Sequence, residues 1–314
     1  MENKEEKIAK SDIGCIIVTF NRLEKLKNTL HCYAIQNILP DYVIVVDNAS
    51  TDGTKEFLNE WKQINEGFEK IVINSSTNLG GSGGFYLGEE KAVQLSTKWI
   101  MIADDDAYPE QNYLEGMYKY IQEHDENQVS IICGKVIQDG DYVNFHRGQW
   151  KTKWDKDFYA GVKRSEYDKN VFYPDFASYV GILINKEKML EAGLVNKDNF
   201  IWHDDIEHTY RLSQKGEIIC LSKYSIVHDV DDTHDGLSWK SYYGYRNALA
   251  FFKQHFPRHY PFVLGKLLMK TILAPLRGRS SIELKIRFAA MRDCMFNHMG
   301  KNKIYQPGWK PKQK

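Results

Sequence analysis

The feature that most constrains this chain is an alternation that runs through residues 13–106. A short apolar, β-branched run is followed by a polar or glycine-rich break, then by a segment with helical spacing. Residues 13–19 (IGCIIVT) and 42–46 (YVIVV) lack polar alternation, the pattern of strands buried on both faces. Between them, Leu23, Leu26, Leu30 and Ala34 recur at helical spacing over residues 23–35, with Asn21 as the expected cap. The same reading gives a helix entered through Thr51, Asp52 and Gly53 and ending at Trp61. A strand at 70–74, a helix around 85–95 and a strand at 99–103 follow. Strands alternating with helices predict a doubly wound, mostly parallel α/β sheet. In such sheets ligands sit beyond the carboxyl ends of the strands. Here those ends are residues 19–22, 47–50, 78–84 and 104–106, all polar or glycine, so they should converge on one crevice.

After Tyr108 and Pro109 the pattern loosens. Residues 129–136 and 177–184 read as further strands. Between them, 138–175 is aromatic and charged, with Trp150, Trp154, Phe158 and Tyr159, and reads as an irregular insertion near the site. The expected organisation is a catalytic domain over 1–239 and a basic, mostly helical region over 240–314.

Charge supports that division. The chain holds 42 Lys and Arg against 42 Asp and Glu, but residues 240–314 hold 16 of the cations and only two acids, Glu283 and Asp293. The tail therefore carries +14 and the rest −14. Such asymmetry points to an anionic surface, either membrane or nucleic acid. Within 262–274, Lys266 and Lys270 share one helical face, Leu264, Leu267, Leu268 and Ile272 lie on the other side, and Pro275 should end the helix. That is the pattern of an interfacial helix on anionic lipid. A basic helix packed on the catalytic domain or on a twin subunit is the other reading. No uncharged apolar run is long enough to span a bilayer. The first residues, MENKEEKIAK, lack the apolar core of a secretory leader. Five scattered cysteines (Cys15, Cys32, Cys133, Cys220, Cys294) form no Cys-x-x-Cys pair, which points to buried thiols in a reducing compartment.

Four constellations can carry chemistry. Asp104, Asp105 and Asp106 end the fourth strand; alternate residues share a face, so Asp104 and Asp106 point together. Two adjacent carboxylates repel unless a cation joins them, and a hard divalent ion held with phosphates resolves this. A plain acidic turn is the alternative. Residues 78–85 (NLGGSGGF) pack four glycines into five positions, Gly80, Gly81, Gly83 and Gly84, which lets backbone approach a ligand closely. This is neither a Walker loop nor Gly-x-Gly-x-x-Gly, since Tyr86 stands where the last glycine belongs; a flexible surface turn is the alternative. Residues 200–211 place Asp204 and Asp205 at an expected helix N-terminus, where a carboxylate should stay ionised and able to act as a base. Glu207 and Arg211 can pair along that helix, Trp202 can stack on a sugar, and Asp204 can equally be an N-cap. Zinc between His203 and His208 is disfavoured by their five-residue spacing. His228, beside Asp229, Asp231 and Asp232, follows an apolar stretch and can complete a metal site with Asp104 and Asp106.

Taken in order, IIVTFNR (16–22), VVDNASTDGT (45–54), NLGGSGGF (78–85), ADDDAYP (103–109), HDDIEHTYR (203–211) and His228 resemble the motifs of inverting family 2 glycosyltransferases. The NLGGSGGF and DDD forms most resemble galactofuranosyltransferases, followed by rhamnosyltransferases. The resemblance implies a GT-A fold, a doubly wound mixed sheet with a C-terminal helical extension. It implies that Thr19, Phe20, Asn21, Arg22 and Asp47 hold uridine, with Asn48 and Ser50 nearby. Asn78 and the four glycines approach the diphosphate and donor sugar. Asp104 and Asp105 lie on the donor, and Asp104, Asp106 and His228 hold Mn²⁺ or Mg²⁺. Asp205 is then the base, and Trp202, His203 and Asp204 meet the acceptor. His203 departs from relatives that often carry Trp or Glu there. The implied reaction is transfer from a UDP-sugar, best galactofuranose, to a glycan or lipid-linked glycan in cell-surface polysaccharide synthesis (O-antigen or capsule). Its place would be the cytoplasmic side, peripheral at the inner face of the cell membrane. Oligomerisation through the C-terminal helices stays open. A dTDP-rhamnose donor is the alternative. A sugar-1-phosphate nucleotidyltransferase would carry a Gly-rich loop where TFNR stands. A lectin-like or membrane-scaffold protein uses only the tail, and a nucleic-acid binder, which is not expected, rests on tail charge alone.

Overall fold

The computed structural model describes residues 11–230 and 237–311. The flanks and 231–236 lie outside the described residues, and with them Asp231, Asp232 and the first ten residues. The expected alternation is present: β1 (Ile13–Thr19), α1 (Leu23–Ala34), β2 (Tyr42–Asp47), α2 (Thr54–Trp61), β3 (Glu69–Asn74), α3 (Gly80–Ala92) and β4 (Trp99–Asp104). β1 pairs in parallel with both β2 and β4, and β2 with β3. Every residue of β1 and β2 is buried, because apolar clusters cover both faces of the sheet. The register sets Thr19 opposite Asp47, Asp47 opposite Asn74 and Val18 opposite Asp104, so the polar strand ends share one edge. Asn21 does not cap α1. Arg22 precedes the helix, and the Asn21 carboxamide oxygen instead accepts from Thr51 N at 2.7 Å.

The chain continues through β5 (Ala107–Pro109), α4 (Tyr113–Glu123), β6 (Val129–Gln138), β7 (Asp141–Tyr142), β8 (Arg147–Trp150), β9 (Tyr159–Gly161), β10 (Val171–Phe172), β11 (Phe176–Ala177), β12 (Ile182–Asn185), α5 (Lys186–Ala192), α6 (Asp204–Ser213) and β13 (Glu217–His228). The main sheet runs β10-β13-β6-β12-β4-β1-β2-β3. It is mixed, because β12 lies antiparallel to β4 and β6 while β13 lies parallel to β6.

Two expectations change here. The strand read over 177–184 is two: β11 joins a separate three-stranded sheet with β8 and β9, and β12 joins the main sheet. Gly181, at φ +68, makes the break; a Cβ there would also lie 2.6 Å from the Ile226 side chain. Within the insertion over 138–175, β8 and β9 form a small sheet with β11, while β7 and β10 pair with the main sheet. Arg147, fully buried, binds the small sheet to the main one by donating to the carbonyls of Gly134 (2.9 Å) and Val180 (2.8 Å). Those carbonyls offset the cost of burying the guanidinium.

Three helices follow: α7 (Trp239–His255), α8 (Tyr260–Ile272) and α9 (Ser281–Met295). They share a core with the α/β unit. Phe158 and Phe176 of the insertion and Ile206 of α6 pack with Leu249, Phe251 and Phe252 of α7. Burial of each such aromatic contributes about 1.5–3 kcal/mol. Lys266 and Lys270, still partly exposed, both pair with Asp155 of the insertion, at 2.6 and 3.2 Å. Among the described residues no helix is long and apolar enough to cross a membrane, and all five cysteines are free.

Candidate active site

The acidic turn comes first. After Asp104 the chain turns through Asp105 and Asp106 into β5, which pairs antiparallel with β13 and sets His228 opposite Ala107. Asp229 N donates to Asp106 O at 2.8 Å, which fixes the end of β13 against the turn. Asp104, Asp106 and His228 thereby offer ligand atoms that all lie within 4.8 Å of one another. His228 Nε2 stands 3.4 Å from Asp106 Oδ1, a buried oxygen with no hydrogen-bond partner. Two carboxylates, an imidazole and an unsatisfied buried oxygen fit a hard divalent cation such as Mg²⁺ or Mn²⁺. Arg22 reaches the same turn, with Nη1 2.5 Å from Asp106 Oδ2 and 3.3 Å from Asp105 Oδ1.

These partners set the ionisation. Burial alone would protonate Asp106, but His228 and Arg22 outweigh it and hold the carboxyl below its usual range. Burial opposes the charge of His228, yet Asp106 and Asp104 raise its pKa. Asp104 is pushed up to about 7 by burial and by Asp106. Asp105 has another job. Its Oδ2 accepts from Thr19 Oγ1 at 2.7 Å and its carbonyl from Thr29 Oγ1 at 2.6 Å, tying β1 and α1 to the turn. Burial lifts it to about 6.

The glycine run is a helix start, not a loop: α3 begins at Gly80, five residues before the expected position. Its glycines divide into two uses. Gly80 has φ +75, and a Cβ there would lie 2.0 Å from the Phe200 carbonyl oxygen; a Cβ on Gly81 would meet open space. Both line the cavity. Gly83 and Gly84 do not. A Cβ on Gly84 would lie 2.4 Å from the Val18 side chain and one on Gly83 2.6 Å from Leu79, so these two serve close packing of α3 rather than donor contact. Asn48 holds the turn, donating to Gly80 O (2.8 Å) and accepting from Leu79 N (2.9 Å), while Asn78 accepts from Gly80 N (2.8 Å). Asn21, Asp47 and Ser50 also stay out of the cavity wall. Ser50 Oγ accepts from Asn21 N, and Asp47 Oδ1 from Ser50 N, both at 2.9 Å, so the three brace the ends of β1 and β2.

The second acidic pair sits on a strained segment. Phe200, Trp202 and His203 all have φ between 62 and 66, in the left-handed region that costs side-chain-bearing residues. Asn247 of α7 holds them there: its Nδ2 lies 2.9, 2.9 and 2.8 Å from the carbonyls of Asn199, Ile201 and Trp202. Arg246, fully buried, adds a bond to Asn199 O at 3.0 Å. His203, not Asp204, occupies the cap position, and α6 opens with Asp204 and Asp205. The expected Glu207–Arg211 pair is present and two-pronged, at 2.8 and 2.9 Å, and His255 of α7 joins it at 2.9 Å. The helix N-terminus does not keep the acid pair ionised. Burial wins, raising Asp204 and, with the added repulsion of Asp204, pushing Asp205 up to about 8. Among the described residues no Lys, Arg or His ion-pairs with either acid. His203 is held neutral, at about 4, by burial.

Both pairs face one cavity of about 1020 Å³, large enough for a nucleoside diphosphate sugar. Thr19, Phe20, Arg22, Asn48 and Asn78 line it with the acidic turn and Gly80–Gly81. Trp202 to Asp205 line the same cavity. Sequence reasoning missed several lining residues: Phe145 and His146, Lys156, Tyr179, Lys240 and Tyr245. They come from the insertion, the β11–β12 crossing and α7. Only the aromatic character of the insertion, with Tyr159 itself in the wall, pointed there.

Fold and site together define a glycosyltransferase of the GT-A type. The chain belongs to glycosyl transferase family 2, which matches residues 15–180. Within it, the chain is similar to galactofuranosyltransferase GlfT1 of Mycolicibacterium smegmatis, 28% identical over 66% of this chain and 67% of that one. GlfT1 of Mycobacterium tuberculosis H37Rv is also 28% identical, and the chain spans 65% of its length. A shorter match, 35% identical over 95 residues, joins it to abequosyltransferase RfbV of Salmonella typhimurium. Among solved structures, GalNAc-T7 with UDP, GalNAc and Mn²⁺ shares the fold at TM-score 0.63 and 15% identity, over 93% of this chain and 57% of that one. S. aureus TarS 1–349 with UDP-GlcNAc does so at TM-score 0.60 and 16% identity, over 90% of this chain and 80% of that one.

Proposed function

We propose that the protein transfers a sugar from a UDP-sugar, best UDP-galactofuranose, to a glycan acceptor carried on a lipid, with inversion at the anomeric carbon. The observation that carries this reading is that one cavity holds both a cation-type cluster (Asp104, Asp106, His228) and a buried acid pair with no counter-ion among the described residues (Asp204, Asp205). A bound Mg²⁺ or Mn²⁺ would neutralise the charge of the departing diphosphate. Arg22 would add positive charge at the same end. Asn48, Asn78 and Gly80–Gly81 shape the wall where diphosphate and donor sugar would lie. Asp205, once ionised, takes the proton from the attacking acceptor hydroxyl on the face opposite the nucleotide. Trp202, half-exposed in the cavity lining, offers a flat apolar surface for a sugar ring. Galactofuranose is favoured by the GlfT1 relatives. A second reading, resting on the motif resemblance, is a dTDP-rhamnose donor; the RfbV match is to an abequosyltransferase.

A donor panel separates these. UDP-galactofuranose, UDP-hexopyranoses and dTDP-rhamnose are each incubated with protein, Mn²⁺ and a synthetic lipid-linked acceptor, and released nucleotide is measured. Release from UDP-galactofuranose well above the others is expected. Preferential release from dTDP-rhamnose would replace the donor assignment.

A further inference from the structure

We propose that the outward face of α8, with the turn that follows it, is a surface that inserts into an anionic bilayer. The inference rests on the lipid-linked acceptor reading and deepens it by naming the surface that meets the lipid. α8 buries Val263, Leu267 and Thr271, and Ala274 continues that line into the turn. The opposite line runs Phe262, Met269, Ile272 and Leu276, exposed at 50, 58, 61 and 84%. Leu268 and Leu273 flank it, and Gly265 fills the gap in spacing with open space above it. No polar side chain stands on this line. Soluble proteins rarely leave such contiguous large apolar groups uncovered.

The charge around the stripe identifies its occupant. Lys266 and Lys270 share one carboxylate, Asp155, and stay partly exposed, so one positive charge beside the stripe is not offset. Exposed Arg258 lies before the helix in sequence, and exposed Lys285 and Arg279, the latter 3.7 Å from Glu283, follow it. An apolar face on a helix within a region of net charge +14 fits a helix lying flat at the boundary between headgroups and acyl chains of anionic lipid. It fits a second copy poorly, since two regions of +14 each would be brought face to face.

The test uses the full chain and no sugar transfer, so its failure is distinct from failure of the donor panel. Flotation is measured with vesicles of phosphatidylcholine alone and with added phosphatidylglycerol. Wild type should float with the mixed vesicles and less with the neutral ones. Met269→Glu/Ile272→Glu should reduce recovery on the order of ten-fold, with an unchanged melting transition, because both side chains already face outward. Leu276→Glu, beyond the helix, is the second variant and should weaken binding in the same direction. Nucleotide release with a short water-soluble acceptor should be unaffected in both. Equal flotation of variants and wild type would overturn the proposal. So would a wild-type dimer in solution that Met269→Glu/Ile272→Glu converts to monomer while neither form floats, which would make the stripe a seam between copies.

Discussion

The cavity holds two acid pairs that look alike as strings of letters, DDD and DD, and differ in what stands beside them. Asp106 has Arg22 at 2.5 Å and His228 at 3.4 Å, and its carboxyl is held below the usual range. Asp205 has another carboxyl as its neighbour and, among the described residues, no ion-pairing cation, and burial pushes it up to about 8. A carboxylate surrounded by positive charge is a poor proton acceptor but a good ligand. A buried carboxyl whose neighbour repels its charge binds a proton strongly. In the proposed reaction, counter-charge, not sequence, separates the metal-holding carboxylates from the proton acceptor.

The comparison can be broken in several ways. Asp205→Asn should lower turnover by about 10²–10⁴ while leaving UDP affinity largely unchanged; near-normal turnover would remove Asp205 as the base. Asn247→Ala should release the strained carbonyls of Asn199, Ile201 and Trp202 and misplace Asp205. Turnover should fall about 10–100-fold, with donor KM little changed; a loss confined to donor KM would put Asn247 on the wrong side of the comparison. The pH profile gives the smallest but sharpest signal. The base must be ionised, and its pKa is raised, so activity should be present above that value and lost as pH falls through it. For the protein before substrate binds, the acid limb of kcat/KM should therefore lie near 8. A profile flat through the weakly acidic range would mean that Asp205 titrates like an ordinary carboxylate.

The strand–helix alternation and the polar strand ends were legible because fully buried parallel strands have an unmistakable apolar pattern. The crevice followed from topology. The small sheet of β8, β9 and β11 was not legible, since strands of two to four residues carry no periodicity. Glycines mislead for a different reason: Gly81 and Gly84 are identical letters, and only the open space beside one and the Val18 side chain against the other separate ligand approach from helix packing. The Asp205 shift was hidden because the helix N-terminus, visible in sequence, opposes burial, which is not. Lys266 and Lys270 share a face as expected, but their pairing was not legible because their partner, Asp155, lies in the distant insertion. The clamp by Asn247 likewise depends on α7 packing against residues far earlier in the chain.

The central claim, that the two acid pairs divide metal holding from proton transfer, is tested most directly by titrating Mn²⁺ in the presence of UDP, with bound ion read by electron paramagnetic resonance. The account predicts that Asp205→Asn binds Mn²⁺ as the wild type does and that Asp106→Ala loses binding. Wild-type Mn²⁺ affinity in Asp106→Ala, or its loss in Asp205→Asn, would contradict it.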